Sequence, residues 1–116
     1  MRLFRRRTGR AGGMLPRRTA GPGEAHLTEF ARSHPGVEAF VEPPTTVTPP
    51  TVVFVAASGE WTRRQVPDAR AAHDLANRLG VPSYDAAVVG YPQRMRDWNA
   101  RRAAEAKAAR RADGRG

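Results

Sequence analysis

Cysteine is absent from this 116-residue chain, which excludes disulfides, thiolate metal sites and cysteine nucleophiles. Long apolar runs are absent too, since no stretch approaches the roughly 18 apolar residues of a membrane span. We therefore expect a cytoplasmic protein with no membrane partner. A chain of 116 residues is also too short for two domains, so a single small core is expected.

Sequence signatures of cofactor, metal and catalytic sites are missing as well. Gly21-Pro-Gly23 is not preceded by a strand pattern or followed by a third glycine, and no P-loop motif occurs. Ser58 lies in an Ala-Ser-Gly turn, and the carboxylates are scattered. The three histidines, without metal-ligand spacing, are His26, His34 and His73. We expect no metal, no cofactor, no small-molecule substrate and no enzymatic activity.

Positive charge is concentrated at the two ends of the chain, whose net charge is +9. Residues 1–22 hold seven Arg and no acid, and residues 91–116 hold seven Arg and Lys107 against three acids. The middle, residues 23–90, has five Arg and eight acids. Basic ends on a mildly acidic domain are typical of tails that contact a polyanion. The alternative is arginine-rich coding bias in ends that merely solvate the chain.

The first 22 residues favour a disordered basic arm. Their Arg-rich, acid-free composition also fits an organellar transit peptide, but they lack the apolar stretch of a secretory signal. Met14 offers an alternative start of translation.

Hydrophobic periodicity predicts a single α+β domain over residues 23–99. The predicted elements, in chain order, are a helix over 24–34, a strand over 37–42, a proline-bracketed connector or edge segment to 50, a β-hairpin over 51–66, a helix over 68–79 between an Asp68 N-cap and a Gly80 C′ cap, a short strand within 83–89 and a last helix from Pro92. We expect a small, mostly antiparallel sheet of three or four strands, packed by two or three helices and flanked by disordered basic tails. Residues 100–116 form a helical or frayed Ala/Arg-rich tail.

The hairpin turns at Ser58-Gly59, and a loop of two or four residues would place Phe54 opposite Arg63. Trp61 then shares the face of Phe54 and is expected to pack against the second helix, at Leu75 and Leu79. A base-stacking platform made of Trp61 and Arg63 is the alternative.

In the last helix, we expect Met95 and Trp98 to turn inward with Tyr91. Arg94, Arg101 and Arg102 would then lie on one broad outer face, and the helix beyond Asn99 would project or fray, since only Ala remains apolar there.

The segment from SHPGVEAF through VVFVAASGEWTRRQV to QRMRDWN, roughly residues 33–99, resembles small uncharacterised proteins of actinobacteria, some of which are labelled oxidoreductases. The resemblance implies no catalytic or binding residues. The chain itself offers no nucleotide fingerprint, cysteine or metal cluster to hold a redox cofactor.

These observations favour a non-enzymatic accessory protein that binds RNA, DNA or a ribonucleoprotein such as the ribosome, mainly through phosphate contacts. The residues predicted to make them are Arg5, Arg6, Arg7, Arg17, Arg18, Arg63, Arg94, Arg101, Arg102, Arg110 and Arg111. Two alternatives remain open: a protein-interaction module that uses the hairpin face or the Tyr91/Trp98 surface, and an enzyme.

Removal of both basic ends should flatten the salt dependence of nucleic-acid binding, because fewer counterions are released. The measurement is a salt titration of binding to a generic RNA and a generic duplex DNA, full-length protein against residues 24–99. Equal affinity and equal slope for the two proteins would contradict the assignment of binding to the ends.

Overall fold

The computed structural model describes residues 21–115 and places a four-stranded sheet between two layers of helices. The helices are α1 (Pro22–Ser33), α2 (Ala69–Arg78), α3 (Ala86–Val89) and α4 (Gln93–Arg115). The strands are β1 (Glu38–Glu42), β2 (Thr51–Val55), β3 (Trp61–Gln65) and β4 (Ser83–Asp85). The predicted α+β class is therefore confirmed.

The strand order is β3-β2-β1-β4, so β1 lies inside the sheet, between β2 and β4. β1 pairs antiparallel with β2 and parallel with β4, and β2 pairs antiparallel with β3. Because β3 and β4 form opposite edges, α2 connects one edge of the sheet to the other. The mostly antiparallel sheet predicted from the sequence is confirmed.

The continuous apolar run VVFV lies in β2, a strand that is buried on both of its faces. Successive strand residues point to opposite faces, and here both faces are covered by helices. Val52 and Phe54 lie in one cluster with residues of α1 and α2, while Val53 and Val55 lie in a second cluster with Phe40 and residues of α3 and α4. We call these clusters the α1/α2 core and the α4 core.

The α1/α2 core forms because each of its helices presents one apolar side. Leu27 and Phe30 of α1 and Ala72 and Leu75 of α2 are buried against the sheet. α2 begins as predicted, since the Asp68 carboxylate accepts a hydrogen bond from the amide of Ala71 at 2.8 Å. It ends as predicted too, at Gly80 with φ 72°.

The hairpin register predicted from the sequence is wrong by one residue. Phe54 lies opposite Thr62, and Arg63 lies opposite Val53. The reason is a three-residue loop, 57–59, closed by a hydrogen bond from the Ala56 amide to the Glu60 carbonyl at 2.8 Å. Gly59 takes the left-handed position that such loops need, with φ 96°.

The register change moves Trp61 to the other face of the sheet. The sequence predicted that Trp61 packs against α2, and this prediction is wrong: Trp61 packs on the α4 core. Arg63 and Arg64 still point to opposite faces, because they are neighbours in one strand.

The strand prediction for residues 83–89 holds only to Asp85. From Ala86 the chain forms the helical turn α3, which buries Ala86 in the α4 core and leaves Val88 and Val89 exposed. Packing of Ala86 thus overrides the β-propensity of the two valines.

α4 begins at Gln93, just after Pro92, and continues to Arg115, so residues 100–115 take the helical alternative. Met95 is buried as predicted, whereas every described side chain from Asn99 to Gly114 is exposed.

Gly59→Ala should destabilise the protein by about 2–5 kcal/mol, because the new methyl group adds backbone strain and a steric clash. Its Cβ would lie 2.1 Å from the carbonyl oxygen of Arg94, at a backbone φ of 96°. Gly80→Ala is the matched control: its φ is 72°, but no atom of residues 21–115 lies within 4 Å of the added Cβ, so only strain of about 1–2 kcal/mol is expected. Urea unfolding of both variants measures the difference, and equal losses would refute the contact.

Candidate nucleic-acid interface

Arg63, one of the predicted phosphate-binding residues, is held by a carboxylate of this chain. Its Nε donates to Glu42 Oε1 at 2.9 Å and its Nη2 to Glu42 Oε2 at 3.0 Å, a bidentate pair between β3 and β1. Glu42 also accepts from the hydroxyl of Thr51 at 2.5 Å and from that of Tyr91. The Glu42 cluster, meaning these four residues, thereby links three strands to the segment that precedes α4.

The electrostatics of Glu42 follow from these bonds. Burial on its own would raise the pKa of this carboxyl group. Hydrogen bonds from Arg63, Thr51 and Tyr91, together with the Arg63 charge, outweigh burial and lower the pKa from 4.5 to about 2. Glu42 is therefore ionised throughout the physiological range, and the positive charge of Arg63 is compensated inside the fold.

Arg94 is held in a second, similar cluster. Its Nη2 donates to Glu38 Oε1 at 2.6 Å, and its Nε donates to the carbonyl of Ala56 at 2.9 Å. Glu38 also accepts a hydrogen bond from the hydroxyl of Tyr84 at 3.1 Å. Arg94 thus anchors the first turn of α4 to β1 and to the end of β2, and it is half-buried in doing so.

The remaining described arginines of the prediction lie where α4 leaves the domain. Arg101 donates to the carbonyl of Ser58 at 3.1 Å, and Arg102 donates to Glu105 at 3.2 Å. Arg110 and Arg111 lie two to three turns further along the helix and are exposed. The fold therefore brings Arg101 and Arg102 together on the exposed part of α4. Arg63 and Arg94, in contrast, bind carboxylates of β1 and hold elements of the fold together.

Trp98 lies beside this pair of arginines. The guanidinium carbons of Arg101 and Arg102 are 5.8 and 5.9 Å from the centroid of its ring, within the range of cation–π interaction. The guanidinium carbon of Arg63 lies 5.2 Å from the centroid of the Trp61 ring. The Nε1 of Trp61 donates a hydrogen bond to Asn99 Oδ1 at 2.7 Å.

The five other predicted residues, Arg5, Arg6, Arg7, Arg17 and Arg18, lie outside the described residues.

A groove of about 660 Å³ lies between the start of α1, the end of β3 and α2. Its carboxylates are already partnered: Glu24 binds Arg78 at 2.6 Å, Asp74 lies 3.8 Å from Arg70, and Asp68 caps α2.

The histidines within residues 21–115 make separate local contacts. His26 bonds the hydroxyl of Thr62 and His73 that of Ser83, each at 2.7 Å, while His34 lies 3.1 Å from Glu60. In this part of the chain, no three His, Cys, Asp or Glu side chains are arranged to hold a metal ion.

Comparisons with protein-family models, with curated proteins and with solved structures return no match. None of the helices within residues 21–115 is long and apolar enough to cross a membrane.

No role was predicted from the sequence for Glu38 and Glu42. Lys107 was counted in the basic C-terminal end but was not among the predicted phosphate contacts. A signal for the first two exists, because Glu38, Phe40 and Glu42 share one strand face and a charged residue on a covered face needs a partner. Which arginine each would bind depends on the hairpin register and on the path of α4. Lys107 is exposed on α4 among the basic residues and belongs with them.

Glu42→Gln should lower stability at neutral pH by about 1–3 kcal/mol, a value discounted for the residual exposure of the cluster. Since the folded pKa lies below 4.5, the carboxylate contributes stability that is present above about pH 4.5 and lost as the pH falls toward 2. Urea unfolding from pH 6 to pH 2 should show this acid-dependent loss in the natural protein and a smaller loss in the variant. Glu29→Gln, at an exposed position of α1, is the control. An unchanged pH profile in Glu42→Gln would contradict the role of the cluster.

Proposed function

We propose that this protein is a cytoplasmic, non-enzymatic accessory protein that binds nucleic acid, free or within a ribonucleoprotein, through phosphate contacts from its basic ends. The observation that carries the proposal is the exposed half of α4. Its described side chains include five exposed cations against two acids, Glu105 and Asp113. The cations are Arg101, Arg102, Lys107, Arg110 and Arg111.

The shape of α4 supports this use. The described part of the chain measures 68 Å along its longest axis and 29 and 27 Å along the other two. Residues 103–115 of the helix would extend for about 20 Å. Their alanines and long charged side chains are strong helix formers, and the packed turns around Met95 supply the nucleus from which the helix propagates.

The distribution of charge around α4 also supports phosphate contacts rather than base reading. Lys107, Arg110 and Arg111 have i, i+3, i+4 spacing and lie on one side of the helix. Arg101 and Arg102 lie on the opposite side, so the cations of α4 can reach phosphates on more than one side. Such contacts position a protein on a nucleic acid without specifying a sequence. We therefore expect low sequence specificity. The arginines of residues 1–22 would add further phosphate contacts.

A protein-interaction module is the second candidate, favoured by exposed apolar side chains at α3. Val88 is 79% exposed and Val89 54%, next to a partly exposed Tyr84. Copurification separates the two candidates. Mixed nucleic acid that is released by a high-salt wash supports the first, and a stoichiometric protein that survives the wash and is lost in Val88→Asp supports the second.

The test of the nucleic-acid proposal is a triple variant of the full chain, Lys107→Gln, Arg110→Gln and Arg111→Gln. Glutamine keeps the helix propensity but removes three charges. At about 0.7–0.9 per lost phosphate contact, the slope of log K against log salt should become shallower by roughly 2–3.

The matched control removes the same number of charges elsewhere, by Arg32→Gln, Arg70→Gln and Arg78→Gln on α1 and α2. These residues are exposed and lie on the far side of the sheet from α4. The control should keep the natural slope, and circular dichroism should show the same helix content for both variants. Equal slopes for the natural protein and the α4 variant, or equal losses in variant and control, would refute binding by α4.

A further inference from the structure

Trp98, Arg101 and Arg102 form one surface on α4, which we call the Trp98 platform. The two arginines follow the tryptophan at i+3 and i+4, so all three side chains lie on one side of the helix. Both guanidinium groups lie within 6 Å of the ring centroid, at 5.8 and 5.9 Å.

The fold does not use Trp98 as it uses the other tryptophan. Trp61 packs on the α4 core and its indole N–H is bonded to Asn99. Trp98 belongs to neither core cluster, although it is half-buried. Met95, one turn earlier, makes the buried contact of α4 with the sheet. A large aromatic ring is thus held at the point where α4 leaves the domain, beside the hairpin loop and outside both core clusters.

The arginines beside the two tryptophans also differ in the groups that they bind. Arg63, beside Trp61, is bidentate to the Glu42 carboxylate, so its charge is compensated. Arg101 donates to a backbone carbonyl at Ser58, which carries no net charge. Among residues 21–115, the one carboxylate that Arg102 binds is the exposed Glu105. Each guanidinium has five N–H donors, so both arginines of the platform keep donors for a phosphate.

We propose that the Trp98 platform binds an unpaired base of single-stranded nucleic acid, with the base stacked on the indole and Arg101 and Arg102 on the flanking phosphates. This inference rests on the proposed function and names its substrate class. An indole in a positively charged surface stacks on any base, because every base has a π-face. In a duplex the bases are stacked on one another, so Trp98 should add affinity only where bases are unpaired.

The test uses the full chain and three fluorescently labelled probes, an oligo(U), an oligo(dT) and a duplex of the same length, measured by anisotropy. Trp98→Leu should weaken binding to the two single strands about 5- to 150-fold, the range for losing one stacked base. Binding to the duplex and the salt slope should stay unchanged. Trp98→Phe should retain most of the single-strand affinity. The two single-stranded probes show whether the platform distinguishes RNA from DNA.

A second measurement reports the stacking directly. In Trp61→Phe, Trp98 is the one remaining tryptophan, and its fluorescence should be quenched by oligo(U) or oligo(dT). In Trp98→Phe, the remaining Trp61 should be quenched much less.

The outcomes separate this inference from the function on which it rests. If the natural protein binds all three probes with a steep salt slope but Trp98→Leu changes none of the affinities, the platform is refuted and phosphate binding by the basic ends stands. Equal losses on single strands and duplex would also refute it. If the natural protein binds none of the probes, the proposed function fails and the platform fails with it.

Discussion

The position of α4 depends on two carboxylates of β1. Glu38 and Glu42 are four residues apart in a strand and therefore point to the same face, with Phe40 between them. Each binds an arginine and a tyrosine hydroxyl. Because that face is covered by helices, an unpaired carboxylate there would cost free energy, so the pairings restrict how the last third of the chain can pack. The hairpin loop adds the second restriction, since Gly59 allows the backbone of α4 to approach closely.

These pairings also divide the positive charge of the chain into two uses. Arg63 and Arg94 hold layers of the fold together, and their charges are compensated by Glu42 and Glu38. The cations beyond Trp98 lie on an exposed helix with few acids. A count of arginines does not distinguish the two uses, whereas their partners do. For this reason Arg63 and Arg94 are no longer part of the proposed interface, which keeps the exposed cations of α4.

Local sequence rules succeeded where a single element decides the outcome. The Asp68 cap, the Gly80 C′ position, the apolar stripe of α2 and the buried Met95 follow from helix chemistry alone. They failed at the hairpin because loops of two, three and four residues all fit Ser58-Gly59, and a change of one residue moves Trp61 and Arg63 to the opposite face. At α3, burial of Ala86 decided against the strand that two valines favour.

The sequence by itself determined the α+β class, the position of most elements and the concentration of positive charge at the ends, because these depend on periodicity and composition. Only the tertiary structure decided which arginines remain available for a ligand. That choice depends on contacts between residues far apart in the chain. Arg63 and Glu42 are 21 positions apart, Trp61 and Asn99 are 38, Tyr91 and Glu42 are 49, and Arg94 and Glu38 are 56. Such contacts follow from register and helix path, which no local pattern in the chain specifies.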